Sequence, residues 1–280
     1  MQFVRYSSGG QPQYGVRTDD GIVPLTGTAL EPLTFEKLTN ESYLDRVRTL
    51  IEREQADVDP DDVNLLAPVS SPNKVVCVGL NYHDHAEEQD EEVPERPLLF
   101  AKAPSSVTNP GNPIVHPDGI EQVDYEVELA VVIGREARHV AREDAREHVA
   151  GYTVLNDVSA RDAQFDDGQF FRGKSYETFA PMGPALATGD FDPNGTDVAL
   201  RVNGETKQES NTSEFIFDVD DLVAYISDVM TLRPGDVIST GTPGGVGIFR
   251  DPPELLSAGD DVAAEIEGIG TLENPVVAER

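Results

Sequence analysis

From residue 74 onward the chain alternates short apolar runs with Pro, Gly and Asp punctuation, the pattern of β-strands separated by turns. KVVCVGL (74–80) is almost continuously apolar, as a strand covered on both faces requires. PLLFAKAP, YEVELAVVIG, AGYTVLNDVS, DVALRVNG, DVISTG, DVAAEIEGIG and PVVAER follow as strand candidates, while AREDAREHVA and VDDLVAYISDVM read as helices. Many strands with few helices predict a mainly β, α+β fold rather than a doubly wound parallel sheet. The chain opens with QFVRY, YGVRT, a DDG turn and GIVPL, a short strand meander. A helix is predicted around SYLDRVRTLIEREQ, where Leu44, Val47, Leu50 and Ile51 recur at helical spacing. The polar, proline-marked DVDPDDVNLLAPVSSPNK is the natural junction, dividing the chain into a small N-terminal domain, 1–72, and a main domain, 73–280.

Composition narrows the partners. With 280 residues, 38% of them hydrophobic, the chain can bury a core. Acidic residues number 52 against 21 basic ones, a formal charge of −31, which excludes a polyanion-binding surface and therefore nucleic acid. No run approaches the roughly 20 apolar residues of a membrane span. The opening MQFVRYSSGG lacks the features of a secretory signal, and Cys77, the single cysteine, excludes a disulfide framework. A soluble, cytoplasmic protein is expected. Lysine is scarce and acid is dispersed along the chain rather than gathered in one tail, which fits a salt-rich cytoplasm better than an acidic patch recruiting a basic partner.

Several segments carry candidate chemistry. In VDYEVELAVVIG, Glu126 and Glu128 are two apart and share one strand face. Adjacent carboxylates beside an apolar run repel unless a cation lies between them, so they are either ligands of a hard divalent ion or a solvated strand face. Asp157 ends the apolar strand of GYTVLNDVSARD, as a third ligand or a cap. Nothing suggests zinc, since there is neither a Cys cluster nor HExxH. In VGLNYHDHAEE, His85 and Glu88 are one helical turn apart and can form a general-base dyad. His83 and His85 could instead be an H-x-H metal pair or plain exposed residues. Lys174, beside Arg172, is an ion-pair partner or a cation for a substrate carboxylate or enolate oxygen. RPGDVISTGTPGGVG is not a Walker A loop, but its amides and the Thr242 hydroxyl could hold an anion, or simply form a turn.

Together, VGLNYHDHAEE, LLFAKAPSSVTNPG, VDYEVELAVVIG, NDVSARDAQ, RGKSYETFAPMGP, LRPGDVISTGTPGGVG and GDDVAAEIEGIGTLENPV resemble, in order, the fumarylacetoacetate hydrolase family, specifically its small members that act on 2-oxo acids. The resemblance runs from about Lys74 to the C-terminus, and residues 1–72 look like the variable N-terminal domain. It implies a mixed β-sandwich roll, a homodimer and Mg²⁺ or Mn²⁺, with Ca²⁺ as a further choice. By position, Glu126, Glu128 and Asp157 match metal ligands, and His85 and Glu88 match a water-activating dyad on a short lid helix. Lys174 matches the lysine at the substrate oxo group, Arg161 and Gln164 match polar pocket residues, and Thr242 matches the carboxylate-holding threonine. The implied reaction is hydrolysis of a carbon–carbon bond in an acylpyruvate such as fumarylpyruvate, as in aromatic catabolism. Oxaloacetate decarboxylation, hydroxyheptadienedioate isomerisation and sugar-acid dehydration would use the same site. A metal-binding protein without turnover stands as the reading from another class.

Overall fold

The computed structural model describes residues 1–189 and 191–280. Its centre is the strand Val127–Ile133, in which every residue is buried. Val127, Leu129, Val131 and Ile133 enter one hydrophobic core with Val198, Leu200, Val262, Ile266 and Leu272. Ala130 and Val132 enter a second core with Val75, Cys77, Leu155, Met182, Leu44 and Val47. Each face of the strand therefore has its own apolar partner, which explains an unbroken LAVVI where a half-solvated strand would alternate.

Around it an eleven-stranded sheet runs, in spatial order, through Gly21–Pro24, Gln13–Thr18, Gln2–Ser7, Ala180–Ala187, Val149–Asn156, Val127–Ile133, Val237–Ser239, Val75–Gly79 and Leu98–Lys102. Asn64–Leu66 and Val107–Thr108 attach beside this path. Most pairs are antiparallel, but Val237–Ser239 lies parallel to Val75–Gly79. That pairing sets the end of the KVVCVGL strand beside the loop that leaves Ser239. A five-stranded sheet, built from Glu205–Asn211, Asp197–Val202, Asp261–Ile266, Gly270–Ala278 and Ile114–His116, shares the first core, making a mixed sandwich of mainly β, α+β class.

The N-terminal meander forms as an antiparallel set, and its first strand also pairs with Ala180–Ala187, so the opening residues extend the large sheet. The helix Glu41–Arg53 is capped by Asn40, whose side chain accepts from the Tyr43 N–H at 3.2 Å, and it buries Leu44 and Val47. AREDAREHVA departs from expectation: Arg142–His148 is a 3-10 helix and Val149 already begins a strand. Arg142 and Arg146 there bridge to Asp218, Asp221 and Asp220 at the start of the helix Val219–Val229, so inter-element ion pairs take the place of α-helical bonding. No helix among the described residues is long and apolar enough to cross a membrane.

Candidate active site

Glu128 shares the strand face that carries Ala130 and Val132, and Glu126 stands two residues earlier, just before the strand begins. Asp157 follows the last residue of the neighbouring strand, Val149–Asn156, and its N–H donates to the Glu126 carbonyl at 2.8 Å. These pairings bring the three carboxylates together: one oxygen from each lies within 4.8 Å of the others, and all three residues are buried. The solvated-face reading of the E-x-E pair is thereby excluded, because Glu126 is 6% exposed and Glu128 1%.

The cluster is already crossed by cations. Lys174 Nζ donates to Glu126 Oε2 at 2.7 Å and to Asp157 Oδ2 at 2.9 Å. Lys102 Nζ donates to Asp157 Oδ1 at 2.5 Å and to the Val158 carbonyl at 3.0 Å. Arg161 Nη2 donates to Glu126 Oε1 at 2.5 Å. Among the described residues Glu128 receives only neutral donors, the Ser239 hydroxyl at 2.5 Å and the Gly241 N–H at 2.9 Å. Its carboxyl is raised well above the ordinary range by burial, then by Asp157 and Glu126, despite Lys174. Burial pulls Glu126 the same way, but Lys174 and Arg161 outweigh it and hold that carboxyl below the ordinary range. Three buried carboxylates with one of them held up in pKa mark a site short of positive charge. An all-oxygen donor set with that deficit fits a hard divalent cation such as Mg²⁺.

The short helix His83–Glu88 contributes His85 to the cavity that Glu126 and Glu128 line. His85 is buried, and its Nδ1 lies 3.1 Å from Glu88 Oε2, so the pair meets as helical spacing allows. The other Glu88 oxygen accepts the Gly245 N–H at 2.9 Å. Asp84 ties the same helix down by accepting from the Ser210 hydroxyl at 2.5 Å and the Gly244 N–H at 3.2 Å. His83 is exposed while His85 is buried, so the H-x-H metal pair does not form. Arg172 is also apart from the cluster, forking onto Asp167.

Thr242 donates to the Val127 carbonyl at 3.0 Å and accepts from Gln208 Nε2 at 2.8 Å, which fixes its hydroxyl at the pocket wall. Gln164 Oε1 accepts from Arg161 Nη1 at 3.1 Å. Asp124, fully buried, accepts from Arg161 Nε at 2.9 Å and from the Gly247 and Ile248 N–H groups at 3.0 and 3.1 Å. That single carboxylate joins the glycine loop to the arginine. Gly247 has no room for a side chain: a Cβ would stand 2.2 Å from the Glu254 carbonyl oxygen and 2.5 Å from Asp124 Oδ1.

His85, Glu126, Glu128, Arg161, Gln164, Lys174 and Thr242 line one cavity of about 490 Å³, with Leu98, Phe100, Phe165, Phe170 and Phe249 as its apolar walls. Asp157 lies just behind the wall. A more open groove of about 810 Å³ crosses the five-stranded sheet near Asp197, Arg201 and Glu265. It is wider but holds none of the three clustered carboxylates, so the chemistry belongs to the smaller cavity. Sequence reasoning passed over Lys102, Asp124, Gln89, Gln208 and Ser239. The lysine that ends the otherwise apolar run LLFAK, buried in the structure, was the available signal for Lys102.

Comparison with known proteins agrees with this geometry. Residues 74–277 match the family described as fumarylacetoacetate (FAA) hydrolase C-terminal, and residues 1–68 match one described as Rv2993c-like, N-terminal. A human mitochondrial oxaloacetate tautomerase is 44% identical over 275 residues, covering 95% of this chain and 88% of that protein. A solved fumarylacetoacetate hydrolase from psychrophilic Exiguobacterium antarcticum superposes with a TM-score of 0.85 at 41% identity, covering 100% of both chains. A solved 2-hydroxyhepta-2,4-diene-1,7-dioate isomerase from Mycobacterium marinum gives 0.78 at 35% identity, covering 100% of this chain and 99% of the other. With its main segment matched, its sandwich shared and its buried carboxylates gathered in one pocket, the chain is a member of the fumarylacetoacetate hydrolase family.

Proposed function

We propose that this protein is a metal-dependent enzyme that interconverts keto and enol forms of a short 2-oxo acid of the oxaloacetate type. The observation that carries the reading is the placing of one neutral-capable base, His85 backed by Glu88, in the same cavity as three buried carboxylates and Lys174. A divalent ion held by Glu126, Glu128 and Asp157, Mg²⁺ or Mn²⁺ ahead of Ca²⁺, would supply Lewis-acid polarisation of the 2-oxo carbonyl.

The chain's own groups do the rest. The Arg161–Gln164 pair binds the substrate carboxylate, Gln164 through its amide N–H groups, while Thr242 shapes the wall beside it with its one proton held by the Val127 carbonyl. His85 removes a proton from the carbon next to the oxo group, and Glu88 stabilises the resulting imidazolium through Nδ1. The C–H electron pair becomes the new carbon–carbon double bond, while the carbonyl pair moves onto oxygen. Lys174 stabilises that oxygen with its ammonium group. His85 then returns the proton to the oxygen, giving the enol, and the reverse sequence gives the keto acid. The tautomerase and isomerase names of full-length relatives support this order of preference.

A second reading, hydrolysis of an acylpyruvate such as fumarylpyruvate, draws support from the cavity itself. About 490 Å³ with several phenylalanines exceeds what a four-carbon acid fills, and the same dyad can activate water. Decay of enol-oxaloacetate and release of pyruvate from acetylpyruvate, each followed with Mg²⁺, separate the two. Acceleration of the enol signal, lost in His85→Ala with Mg²⁺ binding retained by calorimetry, is the expected result. Cleavage of acetylpyruvate without any effect on the enol signal would transfer the assignment to the second reading. Catalysis of neither reaction, with Mg²⁺ still bound, would favour a metal-binding protein without turnover.

A further inference from the structure

Gln89 follows the His83–Glu88 helix as its C-cap, half-buried and facing the cavity. Its backbone N–H donates to the His85 carbonyl, which returns the side chain toward the imidazole. Gln89 Nε2 stands 2.8 Å from His85 Nε2. An amide NH₂ can only donate, so this contact needs His85 Nε2 to be the unprotonated nitrogen. On the opposite edge of the ring, Glu88 can only accept, so Nδ1 carries the proton. The Glu88 contact selects this tautomer, and the Gln89 amide as placed agrees with it. Glu88 cannot easily exchange roles, because its other oxygen is taken by the Gly245 N–H.

We infer that Gln89 is a positioning residue that fixes the Nε2 edge of the His85 ring at the cavity and serves both protonation states of the ring. This rests on His85 being the base. While the ring is neutral, the amide N–H caps the Nε2 lone pair, and it swings aside before Nε2 takes the substrate proton. Once Nε2 has taken the substrate proton, two donors would face each other, and rotation of the amide about its last torsion presents Oε1 as the acceptor. Glutamine offers a donor and an acceptor from one uncharged group. Leucine offers neither, and glutamate only accepts. The nearby Thr242 hydroxyl cannot substitute, since it is committed to the Val127 carbonyl and Gln208. Phe249, with its ring centroid 6.0 Å from that of His85, limits the ring's other side without hydrogen bonding.

The test pairs nitrogen NMR of histidine-labelled protein with steady-state kinetics, His85→Gln identifying the His85 signals. In the parent protein His85 should show a protonated Nδ1 and a bare Nε2. In Gln89→Glu, Nε2 should become protonated at neutral pH. Gln89→Leu should lower kcat about tenfold, the equivalent of one hydrogen bond, with KM within about twofold. Its Mg²⁺ affinity should be unchanged by calorimetry. A protonated Nε2 in the parent, or a Gln89→Leu enzyme with parental kcat, overturns the inference. If the parent turns over neither test substrate, the reaction reading fails by itself, and the nitrogen signals still decide the role of Gln89.

Discussion

Replacing Lys102 with Met tests whether the carboxylate cluster depends on a permanent counter-charge. Lys102 is 1% exposed, and its ammonium contacts Asp157 Oδ1 and the Val158 carbonyl. Methionine nearly matches the stem, so the change removes charge and donors more than packing. Burial lowers the Lys102 pKa, and Asp157 opposes that shift. If the lysine is charged, its removal leaves Asp157 with Lys174 as its remaining cation, and breaking one side of a buried pair costs about 3–5 kcal/mol. If it is neutral, the change costs only lost hydrogen bonds, about 1–2 kcal/mol. Urea unfolding with a chelator present, at constant m-value, measures the difference. The charged case also makes the site more negative, so calorimetry should show tighter Mg²⁺ binding in Lys102→Met. A stability loss below about 2 kcal/mol, or weaker Mg²⁺ binding, refutes the counter-charge account.

Two further outcomes follow from the site. Gly247→Ala should lower stability by about 1–3 kcal/mol, because its Cβ collides with a backbone carbonyl and with Asp124. It should also raise KM by loosening Arg161, and an unchanged melting temperature and KM would show that the loop absorbs the methyl group. The pH dependence has two opposed parts. Glu128 titrates above its unfolded value of about 4.3, so the ion-free folded state holds the extra proton. Its contribution to stability is therefore lost as pH rises from that value toward the raised one. Glu126 is depressed, so its contribution is present above the unfolded value and lost as pH falls below it. Urea midpoints across pH with chelator should decline on the alkaline side, and saturating Mg²⁺ should flatten that decline. An identical slope with and without Mg²⁺ would place the effect outside the cluster.

The strand-rich class was readable because buried strands leave apolar runs, and LAVVI leaves a long one. The two longest strands that escaped show why. Ala180–Ala187 contains Pro181, Gly183 and Pro184, which read as breakers although every residue is buried. Glu205–Asn211 is polar because it is the edge of its sheet. In the site, Glu126 and Glu128 declare themselves by a two-residue spacing and His85 and Glu88 by a helical one. Lys102 lies 55 residues from Asp157, and Asp124 lies 123 residues from Gly247. Such partners are set by which strands become neighbours, and no local periodicity encodes that.

The tie between the His83–Glu88 helix and the Gly244–Gly245 amides has a consequence for timing. Glu88 holds the imidazole with one oxygen and the glycine loop with the other, so the same carboxylate is both latch and orienting group. On the proposed reading, admitting or releasing a ligand by lifting that helix would also disassemble the proton acceptor. Chemistry would then be confined to the shut state, and a reactive enol could not form while the door to water stands open.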